Sequence, residues 1–364
     1  MVKVLSSMMD KKVISVFNNK GGVGKTNIIW NLGISLADKG KKVLFIDFDP
    51  QCNLSIATIG YKEFEKCLVT SNSFPFGKTI RAYAQPYSQV QGNTEVYLEK
   101  PKYRNDNWKN LDIIPGDFWL NNFADYLNVG SDVIGGTGIY RFLLLQTLIE
   151  KLEEKNQAIY DYVLIDLAPS FNTLVRAALY CSDYFLVPCT ADLFSAYCVG
   201  LIGEVLPSFI NDWVQGRGRF LKVNPYDKLV SAKGKPKFGG WIFNGFDTRL
   251  RDGVISPIAA DKAQFEQVIN SIEKNLIPKL TKDITDYECI PLFVKKEPIA
   301  SIEDLNTMAP DSIVQNIPIK YLLQEKPTRE IQQGSWSQGQ KNLMSKMTKE
   351  YDLLADYIIE NFNK

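Results

Sequence analysis

A chain of 364 residues, 45% of them hydrophobic, is long enough to bury a full core, as one large domain with insertions or one domain with an extension. Its net charge of +1 gives no overall attraction to nucleic acid or membrane, so any such binding needs a local patch. The absence of histidine excludes Ser-His and Cys-His catalysis and leaves carboxylates, lysines, backbone amides and an oxygen-bound metal for chemistry.

The cysteines and the start of the chain both point to a reducing environment. No two of the six cysteines form a Cys-x-x-Cys pair, so their spacing does not predict a zinc site or a redox dithiol. Residues 1–12 hold too little apolar length for a signal peptide. We therefore expect a cytoplasmic protein with free thiols.

Short apolar segments alternate with helical patterns along most of the chain. Strands are predicted over residues 13–17, 42–49, 111–115, 162–166, 184–188, 240–243 and 290–294. Helices are predicted over residues 25–39, 140–153, 173–181, 196–210 and 259–280. Continuous apolar strands separated by helices are typical of a sheet covered on both faces, so the predicted fold is a doubly wound, mostly parallel α/β domain.

Three stretches interrupt this alternation. Residues 61–108 are polar and lack clean periodicity, and residues 211–238 form a second long connection, so both are predicted to be insertions. A linker at 332–340 precedes an amphipathic pattern over 338–362. We expect one α/β domain over 1–325 and a C-terminal linker and helix over 326–364 that packs on it.

A glycine-rich segment with the sequence KGGVGKT, residues 20–26, follows the first predicted strand and opens the first predicted helix. Glycines allow successive backbone N–H groups to turn toward one anion, and the helix N-terminus adds partial positive charge. This context predicts a phosphate-binding loop, or P-loop, in which Lys25 reaches the β- and γ-phosphates and Thr26 ligates Mg²⁺.

The P-loop departs from the general pattern because Asn19 stands where glycine is usual and Lys20 precedes the glycine pair. It resembles the deviant Walker A motif, K-G-G-x-G-K-[ST], of the ParA/MinD family, and within that family the ParA/Soj partitioning branch. The resemblance implies that Lys20 crosses a dimer interface to contact the partner's nucleotide. It also implies that ATP is held by Lys20, Gly21, Gly22, Val23, Gly24, Lys25, Thr26 and Asn27.

Two carboxylates follow the second predicted strand in the segment DFDPQ, residues 47–51. Because they are two residues apart on a strand end, both can face the same phosphates. The segment is similar to the D-x-D-P-Q motif of the same family. The resemblance implies that Asp49 orients the attacking water, as a catalytic residue beside Lys20 and Lys25, and that Asp47 helps to hold the Mg²⁺ shell.

A third carboxylate, Asp166, ends an apolar strand within the segment DYVLIDLAPS, residues 161–170. Ligands of doubly wound folds bind at the carboxyl ends of the strands, which is where this carboxylate is expected. The segment resembles the family's Walker B strand and second switch, D-x-x-x-x-D-x-P-P-S, with Ala168 replacing the first proline. The resemblance implies that Asp166 holds Mg²⁺ through water.

Two further nucleotide contacts are implied only by the resemblance. Asn244 follows the strand over 240–243 and corresponds to an adenine-contacting asparagine, and Pro291 corresponds to a proline packed near the base. An Asn or Pro at a strand end is also explained by turn formation, so both alternatives stay open.

Residues 215–238 concentrate seven cations against one acid, Asp227. The cations are Arg217, Arg219, Lys222, Lys228, Lys233, Lys235 and Lys237. Such a stretch supplies sequence-independent phosphate contacts with DNA, or is simply a solvated loop. The C-terminal pattern at 351–360 is acidic, which argues against an anionic membrane and for packing on the core.

The resemblance implies a slow, partner-stimulated ATP hydrolase that forms a homodimer on binding ATP and partitions or positions DNA or another cargo, with a ParB-like activator. One alternative is a regulatory or defence-associated ATPase whose 61–108 insertion recruits a protein. Another is an iron-protein-like reductase, but Cys181, Cys189 and Cys198 do not lie in the glycine-rich loops that hold that branch's bridging cluster.

Overall fold

The computed structural model describes residues 11–89, 93–128, 132–136, 138–156, 159–251, 254–290, 296–328 and 334–362. Seven parallel strands form its central sheet. They are β1 (Lys12–Val16), β2 (Val43–Asp47), β3 (Leu111–Ile114), β4 (Tyr162–Asp166), β5 (Tyr184–Thr190), β6 (Lys237–Phe246) and β9 (Ala300–Glu303). A separate antiparallel hairpin joins β7 (Thr248–Arg251) to β8 (Val254–Pro257).

The strand order across the sheet is β3-β2-β4-β1-β5-β6-β9. This confirms the doubly wound fold, and the main sheet is parallel throughout. The central strand β1 pairs with β4 on one side and β5 on the other, so that Ile14 lies opposite both Leu164 and Tyr184. Because the chain passes from β4 across β1 to β5, its winding reverses there, and such a reversal creates a ligand crevice at the carboxyl ends of the strands.

Helices cover both faces of the sheet, which explains why its strands are continuously apolar. They are α1 (Lys25–Asp38), α2 (Asn53–Ile59), α3 (Tyr61–Leu68), α4 (Arg81–Gln89), α5 (Leu120–Asn128), α6 (Leu144–Asn156), α7 (Thr173–Cys181), α8 (Leu193–Val223), α9 (Lys228–Ala232), α10 (Ala259–Ser271), α11 (Ile277–Asp283), α12 (Met308–Gln315), α13 (Ile319–Leu322) and α14 (Gln338–Asn361). A 3₁₀ segment (Ile139–Leu143) precedes α6, and a π-helical segment (Ile272–Leu276) joins α10 to α11. Helix α1 lies directly on β2, where a Cβ at Gly33 would stand 2.2 Å from the Phe45 ring.

The prediction of a long connection over 211–238 is wrong for residues 211–223, because α8 runs without interruption from Leu193 to Val223. Residues 224–236, which include the short α9, do connect α8 to β6. Its core-facing residues continue at helical spacing to Trp213, which is fully buried. Gly216 then allows the helix to touch the loop at 133–136, since a Cβ there would meet the Val133 carbonyl at 1.7 Å. Tertiary packing therefore extends this helix beyond the predicted range of 196–210.

Helix α8 is also long and apolar enough, by composition, to cross a membrane. However, 44% of its most apolar window is buried within the protein. It packs against α10, α11 and the π-helical segment, so these apolar residues form part of the core.

The far edge of the sheet also differs from the prediction. The strand expected over 290–294 falls mostly on residues 291–294, which lie outside the described residues, and Ile290 is not in a strand. The edge strand is instead β9, paired with β6. Its sequence ASIE is short and half polar, and an edge strand needs no continuous apolar run.

The C-terminal helix lies where the sequence pattern places it. Ser337 and Gln340 form a reciprocal capping box at its start. Its apolar face packs against α1 and β9. The buried residues of this face are Met344, Met347, Tyr351, Leu354, Ala355 and Ile358.

Candidate nucleotide-binding site

The glycine-rich segment connects β1 to α1 at the carboxyl edge of the sheet. Gly22 and Gly24 have φ values of 75° and 79°, which only glycine adopts without cost. Gly24 precedes α1, and no side chain caps the start of that helix. Uncapped N–H groups and the positive end of the helix dipole make this turn suitable for an anion.

The Lys25 side chain extends from the first residue of α1 back to the start of the loop. Its Nζ donates to the backbone carbonyls of Asn18 and Lys20, both at 3.2 Å. Burial lowers the pKa of Lys25, while the nearby carboxylates of Asp166 and Asp49 act in the opposite direction. A buried ammonium with weak carbonyl contacts has the position and the charge to bind a phosphate oxygen.

Asp47 and Asp166 lie side by side because β2 and β4 pair them in register. Thr26 Oγ1 donates to Asp166 Oδ2 at 2.6 Å, and Ser55 donates to Asp47 Oδ2 through its amide at 2.7 Å and its hydroxyl at 2.6 Å. The second carboxylate oxygen of each aspartate is buried without a hydrogen-bond partner. Burial raises the pKa of both carboxyl groups, and their mutual repulsion raises that of Asp47 further.

These orphaned oxygens fit a hard cation such as Mg²⁺. A cation near both carboxylates would offset their repulsion, and carboxylate and hydroxyl oxygens are the donors that Mg²⁺ prefers. Within the described parts of the chain, no group of three or more acidic, cysteine or histidine side chains forms a complete metal cage. The donor set therefore suits a Mg²⁺ ion that also takes phosphate oxygens and water.

Asp49 lies beyond the end of β2 and is 5% exposed. Its Oδ1 accepts a hydrogen bond from the Gln51 amide at 2.9 Å, which fixes the turn that follows. The carboxylate lines a cleft of about 570 Å³ together with the glycine-rich segment. The remaining lining residues are Asn27, Gln51, Asn53, Ile56, Ala57, Pro169 and Ile313.

A second cleft of about 670 Å³ adjoins the first at Asp49. Its walls include Pro169 and Ser170 after β4, Phe64 and Leu68 of α3, and Phe118 before α5. Phe118 is 74% exposed. Helix α3 belongs to the 61–108 stretch, so this stretch contributes directly to the surface beside Asp49.

Lys20 does not point into the cleft that holds Lys25. Its Nζ contacts the Asp192 carboxylate and donates to Thr190 Oγ1 at 2.6 Å and Ser195 Oγ at 3.3 Å. Thr190 ends β5, and Asp192 and Ser195 begin α8. In this conformation the Lys20 ammonium group is bonded by side chains of the same chain.

Asn244 reaches the P-loop, although it follows β1 by more than two hundred residues. Its Nδ2 donates to the Val23 carbonyl at 3.0 Å, and a Cβ at Gly24 would lie 2.4 Å from the same nitrogen. Asn244 therefore supports the P-loop backbone, and its adenine contact remains a prediction. Pro291, the second predicted base contact, lies outside the described residues.

The predicted cationic stretch is divided by the structure into exposed and internally bonded residues. Lys233 is buried and pairs with Asp183 at 2.9 Å, Lys235 donates to the Asp286 carbonyl, and Lys237 pairs with Glu288. Arg217 is half-buried and donates to the Ser231 carbonyl at 3.3 Å. Arg219, Lys222 and Lys228 are exposed around the end of α8, although Arg219 also donates to the Ile134 carbonyl at 3.1 Å. The stretch is thus not the solvated loop of seven free cations that its composition suggests.

Four side chains at the site carried no recognisable signal in the sequence. Ser55 holds Asp47, while Thr190, Asp192 and Ser195 surround Lys20. Serine, threonine and aspartate are common at strand and helix ends because they cap helices, so residue type alone does not identify them as part of a site. As for the cysteines, Cys181, Cys189 and Cys198 are all buried, which gives no support to a cluster shared across a subunit surface.

Known proteins match both the sequence and the fold. A family model described as an AAA domain matches residues 11–212, more than half of the chain. An uncharacterized protein of Methanocaldococcus jannaschii is 34% identical over 190 residues, 52% of this chain and 63% of that protein. The chromosome partitioning protein ParA of Caulobacter vibrioides is 31% identical over 184 residues, 50% of this chain and 58% of that protein.

Both alignments span less than two thirds of the relative's own length. Among solved structures, the ATP complex of McdA from Cyanothece has a TM-score of 0.58 at 17% identity and covers 96% of each chain. That likeness extends the fold over almost the whole chain, beyond the part matched by the family model. With its deviant Walker A loop, its paired strand-end carboxylates and these matches, the chain belongs to the ParA/MinD-type AAA domain family of P-loop proteins.

Proposed function

We propose that this protein is a partitioning or positioning ATPase that binds ATP with Mg²⁺, forms a homodimer in that state and returns to monomer after slow hydrolysis. The observation that carries the proposal is the arrangement around the P-loop. Lys25 and Thr26 face the strand-end carboxylates of β2 and β4, while Lys20 stands apart from this cluster. A lysine whose ammonium group lies away from the phosphate-binding residues of its own protomer is suited to contact the nucleotide of a second protomer.

The residues take separate parts in the proposed reaction. The P-loop amides and Lys25 bind the β- and γ-phosphates, and Thr26, Asp47 and Asp166 hold Mg²⁺ directly or through water. Bound Mg²⁺ neutralises charge on the β- and γ-phosphate oxygens. Asp49 orients the water that attacks the γ-phosphate, and Asn244 keeps the P-loop in place beside the base.

Replacing Lys20 tests the dimer part of the proposal. Lys20→Ala should still bind ATP, because Lys25 and the loop amides remain, but should fail to dimerise. Light scattering with ATP and Mg²⁺ gives the mass, and calorimetry gives the affinity. Lys66→Ala, at a solvated position with 70% side-chain exposure, is the control. A Lys20→Ala protein that dimerises like the control would place Lys20 on an ordinary surface.

The cargo and the activator belong to the proposal as well. The Caulobacter relative is named a chromosome partitioning protein, which supports DNA as cargo. A ParB-like activating protein and a cytoplasmic location are proposed from the resemblance of the motifs alone. A regulatory or defence-associated role is the second candidate, and the cleft beside Asp49 favours it. Helix α3 of the 61–108 stretch forms one wall of that cleft, and Pro169 and Ser170 after β4 form another. A protein bound in the cleft would therefore contact both of these walls beside Asp49.

DNA binding through the exposed cations at the end of α8 is a separate prediction. Replacing Arg219, Lys222 and Lys228 together by glutamine should weaken binding to random duplex DNA. It should also reduce the slope of log affinity against log salt by about 0.9 for each phosphate that the protein no longer neutralises. The control replaces three other exposed lysines, Lys62, Lys66 and Lys341, so that net charge changes equally. Equal salt slopes for the two variants would show that these three cations do not contact DNA phosphates.

A further inference from the structure

All three ammonium protons of Lys20 have acceptors within its own protomer. They are the hydroxyls of Thr190 and Ser195 and the carboxylate of Asp192. The Lys20 side chain is 17% exposed. An ammonium group has three donors and no more, so Lys20 has no N–H left for another ligand in this conformation.

The acceptor cluster is fixed by bonds that do not involve Lys20. Asp192 Oδ1 accepts the Ser195 amide at 2.9 Å and so caps α8, and Thr190 Oγ1 donates to Asp192 Oδ2 at 2.6 Å. The Thr190 amide in turn donates to Ser195 Oγ at 3.0 Å. The end of β5 and the first turn of α8 therefore present a preformed set of oxygens to a cation.

The charge of the cluster also suits a cation. Partial burial alone would raise the pKa of Asp192, but hydrogen bonds from Lys20, Thr190 and the Ser195 amide outweigh it and lower that pKa. Asp192 is thus an anion held beside the P-loop. The backbone of Lys20 is fixed independently, since its amide donates to Asn18 Oδ1 at 2.9 Å and its carbonyl accepts from Lys25.

We propose that Asp192, aided by Thr190 and Ser195, is a positioning residue that anchors Lys20 in the resting monomer and opposes its transfer to the second protomer. The inference rests on the proposed function, in which Lys20 crosses the dimer interface. Each dimer requires two such anchors to be released, one per protomer. The free energy needed to release one anchor therefore contributes twice to the free energy of dimerisation.

Asp192→Asn tests the anchor with little change of structure. Asparagine caps helices as well as aspartate does, so α8 should keep its start while the anchor loses its charge. With AMPPNP and Mg²⁺, the dimer dissociation constant should fall by roughly threefold to thirtyfold, because two partly exposed ion pairs are no longer broken. The control is Asp227→Asn, since Asp227 caps α9 through the Val230 amide in the same way.

A second measurement tests the contact between Lys20 and Asp192 in the nucleotide-free protein, independently of dimerisation. Trace acylation of the nucleotide-free protein, followed by mass spectrometry, compares the labelling of Lys20 with that of exposed Lys66. Asp192→Asn should raise the relative labelling of Lys20 by roughly threefold or more, because the amine loses its charged partner. Asp227→Asn should leave it unchanged.

The two readouts separate the possible failures. Increased Lys20 labelling together with tighter dimerisation supports the anchor. Unchanged labelling overturns it, whatever the dimerisation constant does. Increased labelling with an unaltered constant, while wild type dimerises with AMPPNP, overturns the opposing role of Asp192. A wild type that stays monomeric with AMPPNP contradicts the proposed function itself, and with it any role of Asp192 in dimerisation.

Discussion

Lys25→Ala should lose tight ATP binding. Lys25 is the buried cation of the loop, and its neighbours Asp166 and Asp49 would otherwise repel a triphosphate. A hydrogen bond to a charged group is worth about 1.5–3 kcal/mol, and its loss corresponds to roughly 10- to 150-fold weaker binding. Titration calorimetry with Mg²⁺ measures the affinity directly.

The control for this experiment is again Lys66→Ala. Thermal unfolding of Lys25→Ala without nucleotide must accompany the titration, because the carbonyls of Asn18 and Lys20 lose their donor. A folded Lys25→Ala protein that binds ATP as tightly as the control would remove the P-loop assignment.

Asp49→Ala should separate ATP binding from hydrolysis. An interaction made mainly in the transition state lowers turnover when lost and leaves ground-state affinity almost unchanged. Losing a group that orients the attacking water costs roughly 10²–10⁴ in rate. We expect a protein that binds ATP and accumulates as a dimer, with turnover measured as phosphate release in the presence of DNA and any activating partner.

Asp49→Asn separates the role of the Asp49 charge from the role of its hydrogen bond with the Gln51 amide. The asparagine oxygen can still accept the Gln51 amide, so the turn after β2 should be kept. If both variants lose turnover but keep affinity, the carboxylate acts on the water. A loss of ATP affinity in both would instead assign Asp49 to the Mg²⁺ shell, and wild-type turnover in either would contradict its assignment to the reaction.

The P-loop could be predicted from the sequence because its chemistry is local. Gly22, Gly24, Lys25 and Thr26 follow one another, and the left-handed turn they require is a property of glycine. The carboxylates of β2 and β4 were predictable for a similar reason, since parallel strands that end in aspartate bring those ends to one edge of the sheet.

The surroundings of Lys20 could not be predicted in the same way. Thr190 lies 170 residues further along the chain, and only the pairing of β1 with β5 brings the two together. The helix predicted over 196–210 is too short because its continuation to Val223 depends on tertiary partners of Trp213 and Gly216. Long-range packing decided both features.

The coupling of dimerisation to hydrolysis is the central claim, and one experiment follows both together. Wild-type protein receives a limited amount of ATP with Mg²⁺, and light scattering and phosphate release are recorded on the same sample over time. We predict that the mass doubles on addition of ATP and returns to that of the monomer as phosphate release ends. A mass that stays constant while phosphate is released would contradict the account.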